Sequence, residues 1–503
     1  MAKSASISPA VEAGRFLATG IGGAELDSTT LALLEEVRPL GVVLFARNLP
    51  TTEAVLSLTE GLKSCRGLDI IAVDHEGGRV DRMPEGFTRF PPPLEIAGRA
   101  DPGLVREVGR AQARELRAAG FNVNFAPVVD VLTNPANPVI GDRAFGTTPE
   151  MVIHNAIPYM QGLVEGGILG CPKHFPGHGD TEVDSHLDLP KVSHDLRRLR
   201  DIELRPFAKA IAQGARMIMI AHIVCESLDN ANPVTLSPTV IEQLLRGHLD
   251  FDGVAIADDL EMQAITDHHE IGAAAVAAVN AGCDMLLVCQ TTEAVAQVHA
   301  TLTRAIEKGE IARARLDSAE RRRQKLLKRI ARLGRGGSTD RSAIGASEHK
   351  RLAERLIPAL ALATMLTASV AMAGQPASPR EVFLAGTDYE VEIAPPPPPT
   401  EEAAKEPDHG QEETPAASSR AKAPDGPWLS LQVGAFRHLK AARQLKEKLS
   451  ENFSDVYISG GDSGGKPLYR VRVGKFQSEA ALARDKQKLR AAGHPSFRIQ
   501  DKR

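Results

Sequence analysis

The stretch "GVAIADDL", residues 253–260, carries a short apolar run and ends in two adjacent carboxylates before Leu260. A continuous apolar run is what a strand buried on both faces of a parallel sheet requires, and the polar tip marks where the chain leaves the sheet. Working outward, the pattern recurs in "GVVLF" (41–45), "IIAVD" (70–74), "NVNFAPVVDV" (122–131), "GILGCPKHF" (167–175), "ARMIMIAHIV" (215–224) and "DMLLVC" (284–289). Helix-like stretches separate these runs from about residue 12 to 335. Repeated strand-then-helix order over this length predicts an α/β fold, a closed (β/α)8 TIM barrel, with a doubly wound open sheet as its structural rival. The barrel is favoured because polar clusters follow several different strands, where a barrel assembles its site from βα loops.

In the opening stretch, Asp258 and Asp259 point to opposite sides if strand geometry holds to its end, so one of them faces the barrel mouth. "AVDHEGGRVDR" (72–82) places Asp74 at another strand tip, with Gly77 and Gly78 for close backbone approach and Arg79 and Arg82 following. A lone strand-end carboxylate is often a mere helix cap, whereas three on one rim suggest chemistry.

A third cluster, "KHFPGHGDTEVDSH" (173–186), is dense in titratable groups. His174-x3-His178-x-Asp180 has ligand types that zinc accepts, but the two-histidine zinc signature lies on one helix face, and Pro176 with Gly177 and Gly179 forbids that helix. No metal and no cofactor is expected. Asp184 stands two residues before His186, close enough to orient the imidazole and raise its proton affinity, giving a proton donor and acceptor near neutral pH. Ser185 is not taken as a nucleophile, so that group must come from elsewhere, and the carboxylate pair at 258 and 259 supplies it.

With 503 residues, two or three units are expected. A hydrophobic content of 43% with 25% charged residues is that of a soluble globular protein, and the net charge of −4 argues against a nucleic-acid binder. Five scattered cysteines without a C-x-x-C pair fit a reducing compartment rather than a disulfide framework. The first residues contain no apolar signal-peptide core, so the first domain is expected in the cytoplasm.

Beyond the basic stretch "RRRQKLLKRIARLGR" comes "LIPALALATMLTASVAMA" (356–373), which carries no charge. It is a candidate transmembrane helix; the bland alternative is a buried helix or a remnant of another domain. With Lys and Arg mainly on its N-terminal side, the positive-inside rule puts the barrel in the cytoplasm, anchored in the inner membrane, and the remainder outside it. Residues 375–425, rich in Pro, Glu, Ala and Ser, are expected to be a disordered linker stiffened by Pro395 to Pro399.

The last part, 427–503, repeats internally: "LQVGAFRHLKAARQLKEKL" (431–449) and "VRVGKFQSEAALARDKQKL" (471–489) each read as a strand, a Val-Gly-x-Phe exit and an amphipathic helix. With "DVYISG" and "SFRIQ" this predicts a small α+β βαββαβ sheet with helices on one face, basic in charge.

"KHFPGHGDTEVDSH", "AVDHEGGRV", "GDRAFG" and "IADDLEM", in this order and spacing, resemble the glycoside hydrolase family 3 β-N-acetylglucosaminidases of the NagZ type over residues 12–335. The resemblance implies a (β/α)8 barrel that removes terminal β-linked N-acetylglucosamine from peptidoglycan-derived muropeptides in cell-wall recycling. It implies Asp258 as the nucleophile, His186 as the general acid/base paired with Asp184, and Asp74, Arg82, Arg143, Lys173 and His174 as sugar-binding residues. His75 stands where glutamine is common and Ala257 where serine is common, so rim contacts are expected to differ. "ASEHKRLAERL" (346–356) resembles the beginning of a second domain found in some relatives, the rest of which is not expected here. The C-terminal unit, through "WLSLQVGAFRHLKAARQL" and "YRVRVGKF", resembles a SPOR domain, which implies binding to denuded peptidoglycan glycan strands, with Gln432 as a glycan-contact candidate. Two competing functions use the same chain: an N-acetylglucosaminide phosphorylase on the same site, and an inactive barrel serving as a scaffold for glycan binding.

Overall fold

The computed structural model describes residues 7–181, 185, 189–336, 340–356 and most of 428–501. The barrel strands are β1 (Leu17–Thr19), β2 (Gly41–Leu44), β3 (Ile70–Val73), β4 (Val123–Asn124), β5 (Leu169–Gly170), β6 (Met217–Ile220), β7 (Val254–Asp259) and β8 (Met285–Val288). All neighbours are parallel, in the order β5-β4-β3-β2-β1-β8-β7-β6. The segment after β5 closes the ring: Met219 N–H donates to the Pro172 carbonyl (3.0 Å), Phe175 N–H to Met219 (2.8 Å) and Ala221 N–H to Phe175 (2.9 Å). The quoted runs contain seven of these strands; the eighth is the short Leu17–Thr19.

β4 and β5 are shorter than their apolar runs. Pro127 and Pro172 follow them and have no N–H to donate, so the regular ladder stops and single bridges take over, Val128 to Lys173 and Phe175 to Ile220. Between strands lie helices whose starts are legible in the sequence: the side chains of Thr51, Asp101, Thr148 and Thr291 accept N–H groups of the helices they precede. Each such cap contributes about 1 kcal/mol.

Alternation along the strands divides the core into two layers. Ile70 and Ala72, Leu169 and Cys171, Val254 and Ile256, and Met285 and Leu287 belong to the barrel interior. Ile71 and Val73, Ala255 and Ala257, and Leu286 and Val288 belong to the layer shared with the helices. Extending the two-residue period past the strand ends puts Asp74, Lys173 and Asp258 on the interior side and Asp259 on the outer side.

The packed core continues past residue 335. Leu352, Ala353 and Leu356 are buried within the outer layer, so the first residue of the apolar stretch 356–373 belongs to the barrel core. The rest of that stretch, and the 375–425 segment, lie outside the described residues. Among the described residues no helix is long and apolar enough to cross a membrane.

The C-terminal unit is a four-stranded antiparallel sheet in the order Val456–Ser463, Lys466–Phe476, Trp428–Phe436, Phe497–Asp501. Leu431, Val471 and Val473 form its core with Ala442 and Leu449 of the helix Leu439–Ser450 and with Leu482 and Leu489, which lie in the second repeat. Strand, helix, hairpin and closing strand follow the expected order, and most of the expected second helix lies outside the described residues. Gln432 sits in an inner strand, in register with Arg472 and Phe497.

Candidate active site

At the exit of β3 and β5 the charged side chains form one lattice. Lys173 Nζ lies 2.6 Å from Asp74 Oδ1 and 2.6 Å from Glu76 Oε1. Arg143 grips the same Glu76 through two parallel hydrogen bonds of 2.8 and 2.9 Å, the strong bidentate geometry of a guanidinium on a carboxylate. Arg79 fastens the Arg143 loop to the β3 loop, with Nε 2.8 Å from Asp142 and an Nη donating to the Val139 carbonyl (2.6 Å). Burial alone would raise the Glu76 carboxyl, but the charges of Arg143 and Lys173 outweigh it and hold its pKa far below the usual range. Burial likewise opposes the Lys173 charge, and Asp74 and Glu76 overcome it, so the ammonium is retained above its ordinary pKa.

A second group converges on Asp130, which is fully buried. Its carboxylate accepts His174 Nδ1–H (2.7 Å) and the backbone N–H groups of His174 (3.2 Å) and His178 (2.7 Å). With Nδ1 engaged, Nε2 is the His174 nitrogen left for a ligand. His178 Nδ1 pairs with Thr181 Oγ1 (2.7 Å) and its Nε2 with Ser185 Oγ (3.2 Å). Burial, reinforced by the neighbouring His174, pushes the His178 pKa down to about 4, so this imidazole is neutral. Asp180, the third member of the zinc-like spacing, turns to Thr133 (2.7 Å) and His194 (2.6 Å). The three side chains thus have separate partners, and among the described residues no cluster of His, Cys, Asp and Glu suits a metal ion.

The tip of β7 separates its two acids. Asp259 accepts from the backbone N–H of Glu261 (3.2 Å) and of Cys289 (3.2 Å). Burial, with the charges of Glu261 and Asp258, pushes it up to about 6. Asp258 Oδ1 accepts the Asp259 N–H (2.8 Å), and its charge acts on His178 and Cys171, consistent with the interior side that alternation assigns it. His222, at the exit of β6, donates from Nε2 to the Asp259 carbonyl (3.0 Å) and pairs through Nδ1 with Thr235 (2.7 Å), fixing the backbone beside Asp258.

Of the residues expected from sequence, Asp74, Arg143, Lys173 and His174 come together at the ends of β3 to β5, and Asp258 stands at the tip of β7. Arg143 is tied into the lattice, leaving only part of its guanidinium for a ligand. Arg82 Nε is buried with no hydrogen-bond partner among the described residues. Asp184 and His186 lie outside the described residues. Ser185 between them is buried, its carbonyl accepting the Ala264 N–H (3.3 Å) and its hydroxyl meeting His178. Glu76, Asp130 and His222 are not singled out by the sequence patterns, and His178 is singled out only in the rejected zinc-like spacing, although Asp130 ends an apolar run just as Asp74 and Asp258 do. If Asp184 and His186 act as the acid/base pair that the sequence leads one to expect, His178, which pairs with the residue between them, aligns that pair, and His178→Ala is expected to lower kcat about 100-fold, the cost of a misplacement near 1 Å, in a steady-state assay.

A parallel barrel whose strand tips gather carboxylates beside a lattice of paired charges is compatible with the class of glycoside hydrolases. Comparison with known proteins agrees. The family model "Glycosyl hydrolase family 3 N terminal domain" matches residues 23–326, and the SPOR domain model matches 429–500. A Beta-hexosaminidase of Methylococcus capsulatus is 43% identical over 261 residues, 51% of this chain and 78% of the relative. One from Alkalilimnicola ehrlichii is 39% identical over 289 residues, 56% of this chain and 82% of the relative. Among solved structures, a glycoside hydrolase family 3 beta-N-acetylglucosaminidase from Paenibacillus sp. superposes with a TM-score of 0.66 at 36% identity, covering 70% of this chain and 68% of the other. NagZ from Neisseria gonorrhoeae, in complex with N-trifluoroacetyl-D-glucosamine, gives 0.52 at 31%, covering 63% and 98%. The chain belongs to glycosyl hydrolase family 3, and its C-terminal unit is a SPOR domain.

Proposed function

We propose that the barrel is a retaining β-N-acetylhexosaminidase that removes terminal β-linked N-acetylglucosamine from peptidoglycan fragments. Asp258 attacks the anomeric carbon while His186, oriented by Asp184, protonates the departing oxygen. The same imidazole then takes a proton from the water that releases the sugar from the covalent glycosyl-enzyme. Retaining glycosidases ordinarily use two carboxyl groups; here a histidine replaces one. Asp74, Lys173, His174, Arg82 and part of Arg143 hold the sugar hydroxyls by charge-assisted hydrogen bonds. The observation carrying this reading is that Asp258 sits on the interior side of the strand tips, in electrostatic reach of His178, whose ring pairs with the residue between Asp184 and His186.

Two experiments test it. A chromogenic N-acetylglucosaminide is incubated with and without phosphate; free N-acetylglucosamine is expected in both, and sugar 1-phosphate as main product would overturn hydrolysis in favour of phosphorolysis. His186→Ala is expected to slow substrates with poor leaving groups about 100-fold or more while sparing the glycosylation step of activated ones, since these need little protonation at departure. Equal losses across a leaving-group series would contradict the assigned role.

The SPOR domain would hold the enzyme to denuded glycan strands. A cytoplasmic barrel with an external SPOR domain requires residues between 357 and 427 to cross the membrane, which protease accessibility of the C-terminal unit in spheroplasts decides. The scaffold alternative requires that Asp258→Asn leave turnover unchanged.

A further inference from the structure

Residues 340–356 lie beyond the matched stretch 23–326, yet they are tied into the barrel. In the helix Ser347–Glu354, His349 is buried, and its Nδ1 lies 2.8 Å from Oε1 of Glu115 on the helix Pro102–Ala118. The second oxygen of Glu115, itself buried, accepts the Thr88 N–H (2.9 Å). Burial would raise this carboxyl, and the bonds from His349 and Thr88 instead hold it below its usual range. Independently, Gly345 at φ +61° presses on the same loop: a Cβ there would stand 2.0 Å from the Gly86 carbonyl oxygen. From a third side Thr52 donates to the Glu85 carbonyl (3.0 Å), and at the far end the Leu356 carbonyl accepts Arg99 Nη1 (2.8 Å).

The loop gripped in this way, residues 81–90, is the one that carries Arg82. The side chain before it is fully engaged: Asp81 accepts the Met83 N–H (3.1 Å), pairs with Arg89 (2.6 Å) and lies 3.2 Å from His75 Nδ1. Arg89 in turn donates to the Met83 carbonyl (2.6 Å). Arg82, whose buried Nε has no hydrogen-bond partner among the described residues, is the side chain of this loop read as a sugar ligand.

We propose that His349 and Glu115 are positioning residues for the sugar site: the strap 340–356 sets the 81–90 loop through the Glu115–Thr88 bond and the Gly345–Gly86 contact, and so holds Arg82 at the barrel mouth. The inference rests on the reading of Arg82 as a sugar ligand. A group that aligns a ligand-binding side chain acts on ground-state and transition-state binding alike, so its loss is read in KM rather than kcat.

The test uses the full chain with Arg82→Ala, His349→Leu, His349→Asn and the double variant R82A/H349L. They are assayed on a chromogenic N-acetylglucosaminide at a temperature where circular dichroism shows each folded. R82A is expected to raise KM about tenfold and H349L about three- to tenfold, with kcat changed less than about twofold. In H349N the amide nitrogen takes the place of Nδ1 and donates to Glu115, so KM returns to within about twofold of the parent. The double variant is expected to be no worse than R82A, because residues acting through one another are not additive. A lowered melting temperature with unchanged KM in H349L, or multiplicative losses in the double variant, would show that the strap only stabilises the fold and would overturn the proposal. An unchanged KM in R82A overturns the sugar-ligand reading instead, and the proposal with it. Should H349L fail to fold, His349→Gln, whose amide nitrogen corresponds to Nε2, replaces it with the same expected loss.

Discussion

Asp258→Asn is expected to lower kcat on a chromogenic N-acetylglucosaminide by about four orders of magnitude, or ~5 kcal/mol at about 1.4 kcal/mol per tenfold. The amide is nearly the same shape, and its oxygen still accepts the Asp259 N–H that Asp258 Oδ1 accepts at 2.8 Å. Folding should therefore be little changed, and the melting temperature is the control. On the proposed mechanism, what is lost is the negative charge assigned to attack the anomeric carbon and to stabilise the oxocarbenium-like transition state. The neighbouring Asp259 cannot substitute, since its carboxylate is held by the backbone N–H groups of Glu261 and Cys289 on the outer side. A fluorinated glycoside that traps the covalent intermediate should label Asp258 in the parent and leave position 258 of the variant unlabelled. Labelling of another side chain, or retention of more than about a tenth of parental turnover, refutes the assignment.

Removing the charge at Glu76 should produce the largest loss of stability. Glu76 is the shared partner of Arg143 and Lys173, and its side chain and that of Lys173 are only 1% and 3% exposed. Breaking a buried pair by deleting one partner costs about 3–5 kcal/mol, because the remaining charge stays buried without compensation. Glu76→Gln is expected to lose that amount in urea unfolding at neutral pH, and to lose activity as Lys173 and the Arg143 loop relax. The pH dependence has a definite sign. The folded Glu76 pKa is depressed below its ordinary value of 4.5, so its contribution is fully present above that value. It is lost as the pH falls through the folded pKa. Lys173 has a raised folded pKa, so its contribution is complete below the ordinary value of 10.5 and disappears as the pH rises through the folded value. Parent and Glu76→Gln unfolding energies should accordingly converge in acid; a constant gap between them across the acid range would refute this account.

The SPOR core and most of the barrel are legible in the sequence because burial writes itself into local patterns. The runs at 41–45, 70–74, 253–259 and 284–289 each contain a barrel strand, since a strand covered on both faces needs apolar residues at every position. The paired carboxylates at 258 and 259 are legible as one inward and one outward group for the same reason, the two-residue period of the strand. Leu17–Thr19 is not, because three residues are too few to show a period. Local pattern ends the barrel at about residue 335, whereas Leu352, Ala353 and Leu356 extend its core, a contact that no neighbouring residue announces.

By itself, then, the amino-acid order determined the strand-helix alternation, the strand-tip acids Asp74 and Asp258, and the βαββαβ repeat near the C-terminus, all of which depend on neighbours within a few positions. Tertiary structure alone decided that Glu76 rather than a ligand occupies much of Arg143, that Asp130 aligns His174 and His178, and that His349 reaches Glu115. The bonds from Glu76 to Arg143, from Asp130 to His174 and from Glu115 to His349 join residues 67, 44 and 234 positions apart. A hydrogen bond across such a separation depends on where the barrel brings the two backbones, and the chemistry of either residue alone does not specify its partner.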